Sequence, residues 1–386
     1  MKLINLIKLE LKAIFSNSAI LLTVFGGVVF YSFLYPLPYT SQTPQEQKIT
    51  VVNLDHSLLS YRLERMADAT PQVAVMSRSN SIEQAKQQII QGKVSGMFVI
   101  PEHFYRDLLL GANPTLSYAG DASYFLVYGT VVEGLASVGG TLAAKARVTQ
   151  LLKDGEPLAL AAKQYTQVDI NMKPTFNPTL GYVNYVVPAV FVLILQQTLI
   201  MGVGLLGGTQ TSKKGYWLNY DSLILIAVRS SIFFVIYLLL SMYYFGFSFK
   251  FYDINVLASW SNLITLLVPF LLSSCFIGVI LGAVLPRREL VTFVVLISSM
   301  PLVFSTGFIW PIESVPSLMV HLSDLFPSTP AIQAFLSVNQ MGASLQQVNK
   351  QFMLLWLQAG IWGVIAYFTY TKVQGRVRAA NQEEKT

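Results

Sequence analysis

Six stretches of this sequence are long and apolar enough to cross a lipid bilayer, and no other feature constrains the fold as strongly. A helix needs about 20 mostly apolar residues to cover roughly 30 Å of hydrocarbon, because a backbone in lipid must satisfy its own hydrogen bonds. The stretches run approximately from Ala13 to Tyr35, Tyr182 to Leu206, Leu223 to Phe245, Ala258 to Leu285, Leu290 to Trp310 and Phe352 to Tyr370. Only 12% of the 386 residues are charged, about half the usual share of a soluble domain. Lys2, Lys8 and Lys12 precede the first run as they would in a secretory signal. The run is long, however, and no small-residue cleavage site follows it, so it reads as a retained anchor.

Lys and Arg in short connections resist translocation and set orientation. Lys2, Lys8, Lys12, Lys213, Lys214, Arg287, Arg288, Lys372, Arg376 and Arg378 all fall on one side of six spans, whereas the two later loops on the other side carry only Lys250 and Lys350. Both termini are therefore expected in the cytoplasm, with residues 36–181 outside and 372–386 a cytoplasmic tail. The net charge of +6 sits beside apolar runs rather than forming one basic stripe, which argues against a nucleic-acid partner. A single cysteine, Cys275, lies in an apolar run and rules out a disulfide framework.

The segment after the first span has the pattern of a water-soluble fold. KITVVNL, VAVM, VSGMFVI and TLSY read as four strands. Between them, Leu59, Leu63 and Met66 share one helical face, Ser81 to Gln84 begins a capped helix ending at Gly92, and PEHFYRDLLLG opens a third helix that closes at Gly111. Alternating strands and helices predict a small α/β domain with a partly parallel sheet. From Ala122 to Lys153 the pattern is helical, with Gly134, Gly139 and Gly140 expected to interrupt it. The fold class is thus an α-helical polytopic membrane protein of six transmembrane helices with an inserted extracytoplasmic α/β domain between spans 1 and 2.

Catalytic chemistry is not evident. GGTQTSKKG lacks the Gly-Lys-Ser/Thr order of a phosphate loop, and His56, His103 and His321 are far apart. Asp55 and His56 fit a strand-end turn better than an acid/base pair. Polar residues inside spans carry more information, because a membrane disfavours them unless they face a bundle interior or a pathway. Gln196, Gln197, Ser273 and Ser274 are such residues, with interhelical hydrogen bonding as the plainer explanation. Arg229 is expected to snorkel to headgroups, and Pro188 and Pro301 to interrupt their spans. KLINLIKLELKAIF, residues 2–15, places Ile4, Ile7, Leu11 and Ile14 on one face and Asn5, Lys8 and Lys12 on another, suiting a helix along the cytoplasmic membrane surface. PIESVPSLMVHLSDLFPSTP, residues 311–330, is too apolar for an ordinary loop and too short to span, which suggests re-entrant or interfacial helices.

In order and spacing, VVNLDHSLLSYRL, VSGMFVIPEHFYRDLLLGANPTLSY, FNPTLGYVNYVVP and STGFIWPIESVPSLMVHLSDLFPSTPAIQAF resemble the ABC-2 type exporter permeases with a large extracytoplasmic domain between the first two spans. The resemblance covers essentially the whole chain. It implies a permease subunit in the bacterial cytoplasmic (inner) membrane that pairs with a second permease subunit, as a homo- or heterodimer. Separate cytoplasmic ATPase subunits would bind ATP and Mg, so that this chain binds no cofactor. By the same resemblance the N-terminal helix and the segment from about Thr209 to Tyr220 would meet the ATPase, making Lys8, Lys12, Lys213, Lys214, Tyr216 and Trp217 coupling residues. Here the chain departs from the usual Arg-Glu-rich pattern, reading TSKKGYWLNY. Spans two and five would line the pathway, with Asn184, Gln196, Gln197 and Ser305 as lining candidates. The size of the outer domain suggests a periplasmic adaptor as a further partner.

Other classes remain in view. A non-transporting relative of phage-receptor or secretion-accessory type would share the outer domain. An ion-coupled transporter should carry mid-membrane acids, yet Glu289, Asp221 and Asp253 lie at loops or span ends. An intramembrane enzyme would need a nucleophile and base in proximity.

Overall fold

The computed structural model describes residues 2–40, 43–164, 175–177, 181–211 and 215–383. The chain divides into two compact units, one formed by Met1–Thr40 with Thr175–Thr386 and the other by Ser41–Pro174.

The Ser41–Pro174 unit holds a four-stranded sheet in the order β2-β1-β3-β4, made of β1 (Gln47–Asn53), β2 (Val73–Arg78), β3 (Gly96–Ile100) and β4 (Ser117–Gly120). β1 runs parallel to both β2 and β3, whereas β4 is antiparallel to β3. The fourth strand begins two residues later than TLSY suggests. β1 is covered on both faces, so its residues from Ile49 to Asn53 are all buried, as in a parallel core strand. Its Ile49 and Val51 pack with Phe98 against α3 (Leu58–Asp68) and α6 (Phe125–Lys153), and its Val52 packs with Met97 against Ala85 of α4 (Ile82–Ile90). α5 (Phe104–Leu109) and α7 (Leu158–Gln164) complete the unit.

Local chemistry sets these boundaries. Ser57 accepts from Ser60 N at 3.1 Å and Ser81 accepts from Gln84 N at 3.2 Å, each satisfying an otherwise orphaned donor at a helix start. Gln84 Oε1 reaches back to Asn80 N at 2.9 Å, one residue beyond the usual capping-box partner. Gly92, at φ +66°, closes α4 in a conformation that costs a side-chain-bearing residue more. The turn after β1 is an Asx turn built by Asn53, whose Oδ1 accepts from Asp55 N and His56 N at 3.2 and 3.1 Å.

The other unit contains α1 (Lys2–Phe15), α2 (Ser18–Tyr39), α8 (Val186–Thr211), α9 (Ser222–Phe251), α10 (Trp260–Val284), α11 (Glu289–Ser305), α12 (Ser317–Ser323), α13 (Ser328–Phe335) and α14 (Asn349–Glu383). α8 is buried on all sides and forms the axis of the bundle, touching α2, α9, α10, α11 and α13. Its closest neighbour is α10, because both helices present glycine where they cross. A Cβ on Gly282 would lie 2.7 Å from the Gly204 carbonyl oxygen, and one on Gly278 would lie 2.9 Å from that of Ile200. Small residues at such a crossing let dispersion forces act over backbone as well as side chains.

Six helices among the described residues are long and apolar enough to span a membrane, but they are not the six that the sequence pattern suggests. Five agree. The segment from Leu290 to Trp310 holds the shorter, 17-residue α11 followed by a bend, at the lower end of the roughly 17–25 residues that a spanning helix needs, and the sixth long helix is α6. The apolar residues of α6 belong to the core of the Ser41–Pro174 unit: Val131, Leu135, Val138 and Leu142 are buried against the sheet. Gly134, Gly139 and Gly140 do not interrupt α6, which is one helix of 29 residues. Pro188 lies in the first turn of α8 rather than interrupting it, since a proline there forfeits no helical hydrogen bond. Pro301 does lie inside α11 and Pro269 inside α10. The apolar segment 311–330 contains α12, a short 3-10 turn and the start of α13.

Candidate functional site: a buried charge junction

α1 buries one seam, Leu6, Glu10 and Ile14, spaced so that all three lie on one helical stripe. An acid on a buried stripe requires a partner, and Arg229 of α9 supplies it. Arg229 Nε donates to Glu10 Oε2 at 3.0 Å and Nη2 to Oε1 at 2.8 Å. The two side chains are 1% and 0% exposed. Bidentate geometry of this kind is the strongest form of the ion pair, and it leaves the interior electrically neutral.

Three further elements close the cluster. From the end of α8, Gln210 accepts a hydrogen bond from Arg229 Nη2 and donates to the Tyr216 hydroxyl at 2.8 Å. Tyr216, in the 3-10 turn Tyr216–Asn219, donates to Glu10 Oε1 at 2.8 Å. From α14, Tyr370 places its ring 5.9 Å from the Arg229 guanidinium carbon, within cation–π range, and packs edge-on to Trp217. Burial alone would push the Glu10 carboxyl up, but the Arg229 charge and the hydrogen bonds from Arg229, Tyr216 and Gln210 hold it below its ordinary value. Burial and the adjacent Glu10 charge push the Tyr216 hydroxyl up, so it remains a donor.

The 3-10 turn is clasped from its other side by α14. Gln374 Nε2 donates to the Trp217 and Tyr220 carbonyls at 2.6 and 2.9 Å while its Oε1 accepts from Ser222 Oγ at 2.7 Å. Arg378 donates to the Leu218 carbonyl at 2.9 Å from Nε and 2.6 Å from Nη2. One junction therefore holds the N-terminal helix, the end of α8, the turn after it, α9 and α14.

A model of the ABC-2 family transporter proteins matches residues 18–368. The chain belongs to the ABC-2 transporter family. The comparison with curated proteins found no match. Membership agrees with the resemblance read from the sequence and makes this chain the membrane component of a transporter.

Within this ABC-2 chain the sequence-predicted residues are placed unequally. Lys8 and Lys12 are exposed on α1, Tyr216 is bonded into the junction, and Trp217 is buried at 1% exposure, so it holds the turn from within. Lys213 and Lys214 lie outside the described residues. The segment expected to begin as a loop at Thr209 is still helical there, α8 continuing to Thr211. Asn184 is buried and donates to Asn177 Oδ1 at 3.3 Å. Gln196 is buried in α8, and Gln197 donates to Ser299 of α11 at 2.7 Å, the interhelical bond that is the plainer reading of a mid-span amide. Ser305 bonds the Pro301 carbonyl and lines an apolar groove of about 430 Å³ between α11 and α12.

One expectation is corrected. Arg229 does not snorkel, because a buried carboxylate compensates it where headgroups would otherwise be needed. On α1 the seam packed against the bundle is Leu6, Glu10 and Ile14, while Ile4 of the apolar face is exposed. The missed signal was available: Glu10 is the sole acid in residues 2–15 and is four residues from both Leu6 and Ile14.

Proposed function

We propose that this chain is the permease subunit of an ATP-binding cassette exporter, moving a hydrophobic or amphiphilic substrate outward by alternating access. Energy comes from separate cytoplasmic ATPase subunits holding ATP and Mg, and a second permease subunit completes the pathway. The Glu10–Arg229 pair carries this reading, because a force applied to α1 or to the turn at Tyr216 is delivered through charged, directional bonds into α8, α9 and α14 at once. Lys8 and Lys12 on the exposed side of α1 are the proposed contacts to the ATPase, with Lys213 and Lys214 beside the turn.

The proposed orientation places both termini in the cytoplasm of a bacterial inner membrane and the Ser41–Pro174 unit outside, where a periplasmic adaptor can reach it. Asn184, Gln196, Gln197 and Ser305 are the proposed pathway lining. Among the described residues none hydrogen-bonds the buried Gln196 Oε1, a cost of about 1–3 kcal/mol that a hydrated, opened state would relieve.

Affinity purification of the full chain from native membranes in mild detergent tests the reading. A co-purifying ATP-binding cassette subunit is expected, with nucleotide hydrolysis assigned to that subunit and none to the chain alone. Hydrolysis or uphill transport by the purified chain without any such subunit would overturn it.

A further inference from the structure

In the Ser41–Pro174 unit, a groove of about 390 Å³ opens between α3, α5 and α6, a volume within the roughly 300–1,000 Å³ typical of small-molecule sites. Its floor is apolar, built from Leu59 and Met66 of α3, Leu108 of α5 and Leu142 of α6. Its rim is basic. Arg62, Lys145 and Lys153 line it, and among the described residues none of the three is ion-paired. Among the described residues Asp154 is the one carboxylate in the lining, so the local balance is positive. Arg62 and Lys145 also border a neighbouring concavity along α6, which places these two cations on a shared ridge.

The helices that follow two neighbouring strands meet here. α3 follows β1 and α5 follows β3, both pack on the same face of the sheet, and Leu59, Arg62 and Tyr105 form one wall of the groove. On α6 the lining residues Leu142, Lys145, Ala146, Thr149, Gln150 and Lys153 recur at helical spacing as a single stripe.

We infer that this groove binds a single-tailed anionic amphiphile, its tail on the Leu59–Met66–Leu108–Leu142 floor and its carboxylate, sulfonate or phosphate head between Arg62 and Lys145. An uncharged apolar molecule would leave three unneutralised cations at the rim, and a small hydrophilic anion would leave the floor wet. The inference concerns the Ser41–Pro174 unit alone and does not depend on the chain being driven by an ATPase.

The test uses the full chain in nanodiscs of zwitterionic phosphatidylcholine with a diazirine-bearing long-chain carboxylate, adducts being mapped by mass spectrometry. Adducts are expected on peptides containing Leu59–Met66, Tyr105–Leu109 or Leu142–Thr149. Arg62→Glu with Lys145→Glu should cut this labelling about tenfold, as loss of charge-assisted contacts implies. Ala146→Trp should block it by filling the floor, whereas Lys86→Glu, on α4 across the sheet, should leave it intact. The methyl ester of the same probe, tried on the unaltered protein, needs no variant to fold and should label the groove far less than the acid. Equal labelling by acid and ester, adducts confined to residues outside 41–174, or unchanged labelling in the charge-reversed variant would each overturn the inference. A groove labelled only when the discs themselves contain anionic lipid would assign the site to a bilayer headgroup and overturn it also.

Discussion

Glu10 and Arg229 stand 219 positions apart in the chain and meet through two hydrogen bonds of 3.0 and 2.8 Å, with essentially no exposed surface on either side chain. Removing either partner leaves the other charge buried without compensation, which costs about 3–5 kcal/mol, whereas replacing both by apolar residues of similar volume is often neutral. Thermal unfolding of the purified chain should therefore show a large loss of stability in Glu10→Gln and Arg229→Met. The double variant Glu10→Leu with Arg229→Met should recover much of it. Additive losses would indicate that the two side chains act independently.

The same pair sets an acid limit. Glu10 titrates below its ordinary value in the folded protein, and an unperturbed Glu titrates near about 4.3. The pairing energy is fully present above that unfolded value and disappears as pH falls through the lower folded one. The melting temperature should therefore drop as pH is taken below about 4, and the drop should be smaller in Glu10→Gln. Identical pH profiles for the two proteins would show that other groups set the limit.

The crossing of α8 and α10 leaves no room for side chains. Gly282→Val would press a branched side chain on the Gly204 backbone, 2.7 Å from where its Cβ must sit. Overpacking of this kind costs about 1–3 kcal/mol. Gly375→Ala inside α14, where a Cβ meets nothing within 4 Å, is the control and should melt at or slightly above the unaltered chain, since Ala favours a helix over Gly.

In the Ser41–Pro174 unit Asn53 ties the end of β1 to α3. It donates to Ser60 Oγ at 2.9 Å and Glu64 Oε1 at 2.8 Å while its Oδ1 receives two backbone N–H groups. Asn53→Ala should cost about 1–3 kcal/mol through the groups left unpaired. Hydrogen exchange should speed up in residues 54–60 before it does in β3.

Gln374 is the matching tie for the turn at Trp217. With Gln374→Ala the Trp217 and Tyr220 carbonyls lose the Gln374 donor while Arg378 Nη2 still reaches the Tyr220 carbonyl at 3.0 Å, and residues 215–220 should exchange amide hydrogens faster by about tenfold, the factor equivalent to roughly 1.4 kcal/mol. Unchanged exchange would mean that Arg378 alone suffices to hold the turn.

Elements that rest on local pattern were legible in the sequence. Uninterrupted apolar length located α2, α8, α9, α10 and α14, and alternation with turn residues located β1 to β3 with their helices. Length alone does not separate α6 from a membrane span, because the sheet that covers Val131, Leu135, Val138 and Leu142 makes it as apolar as one. The charge junction was not legible as a whole. Each member is an isolated polar residue on an apolar helix or turn, and what unites Glu10, Gln210, Tyr216, Arg229 and Tyr370 is tertiary folding over most of the chain. Of the residues singled out for coupling, Tyr216 and Trp217 prove to belong to the junction's own scaffold, while Lys8 and Lys12 remain on its outer side.

The most direct measurement is the ATP hydrolysis rate of the co-purified complex in nanodiscs, compared between the unaltered chain and Glu10→Gln at a temperature where both remain folded. If the Glu10–Arg229 pair transmits work between the ATPase and the bundle, the ATPase subunit should still bind the variant while its hydrolysis loses the rate set by the permease and reverts to that of the isolated ATPase. Hydrolysis indistinguishable from that of the unaltered complex, with the variant folded and the ATPase bound, would contradict the pair's role as the link.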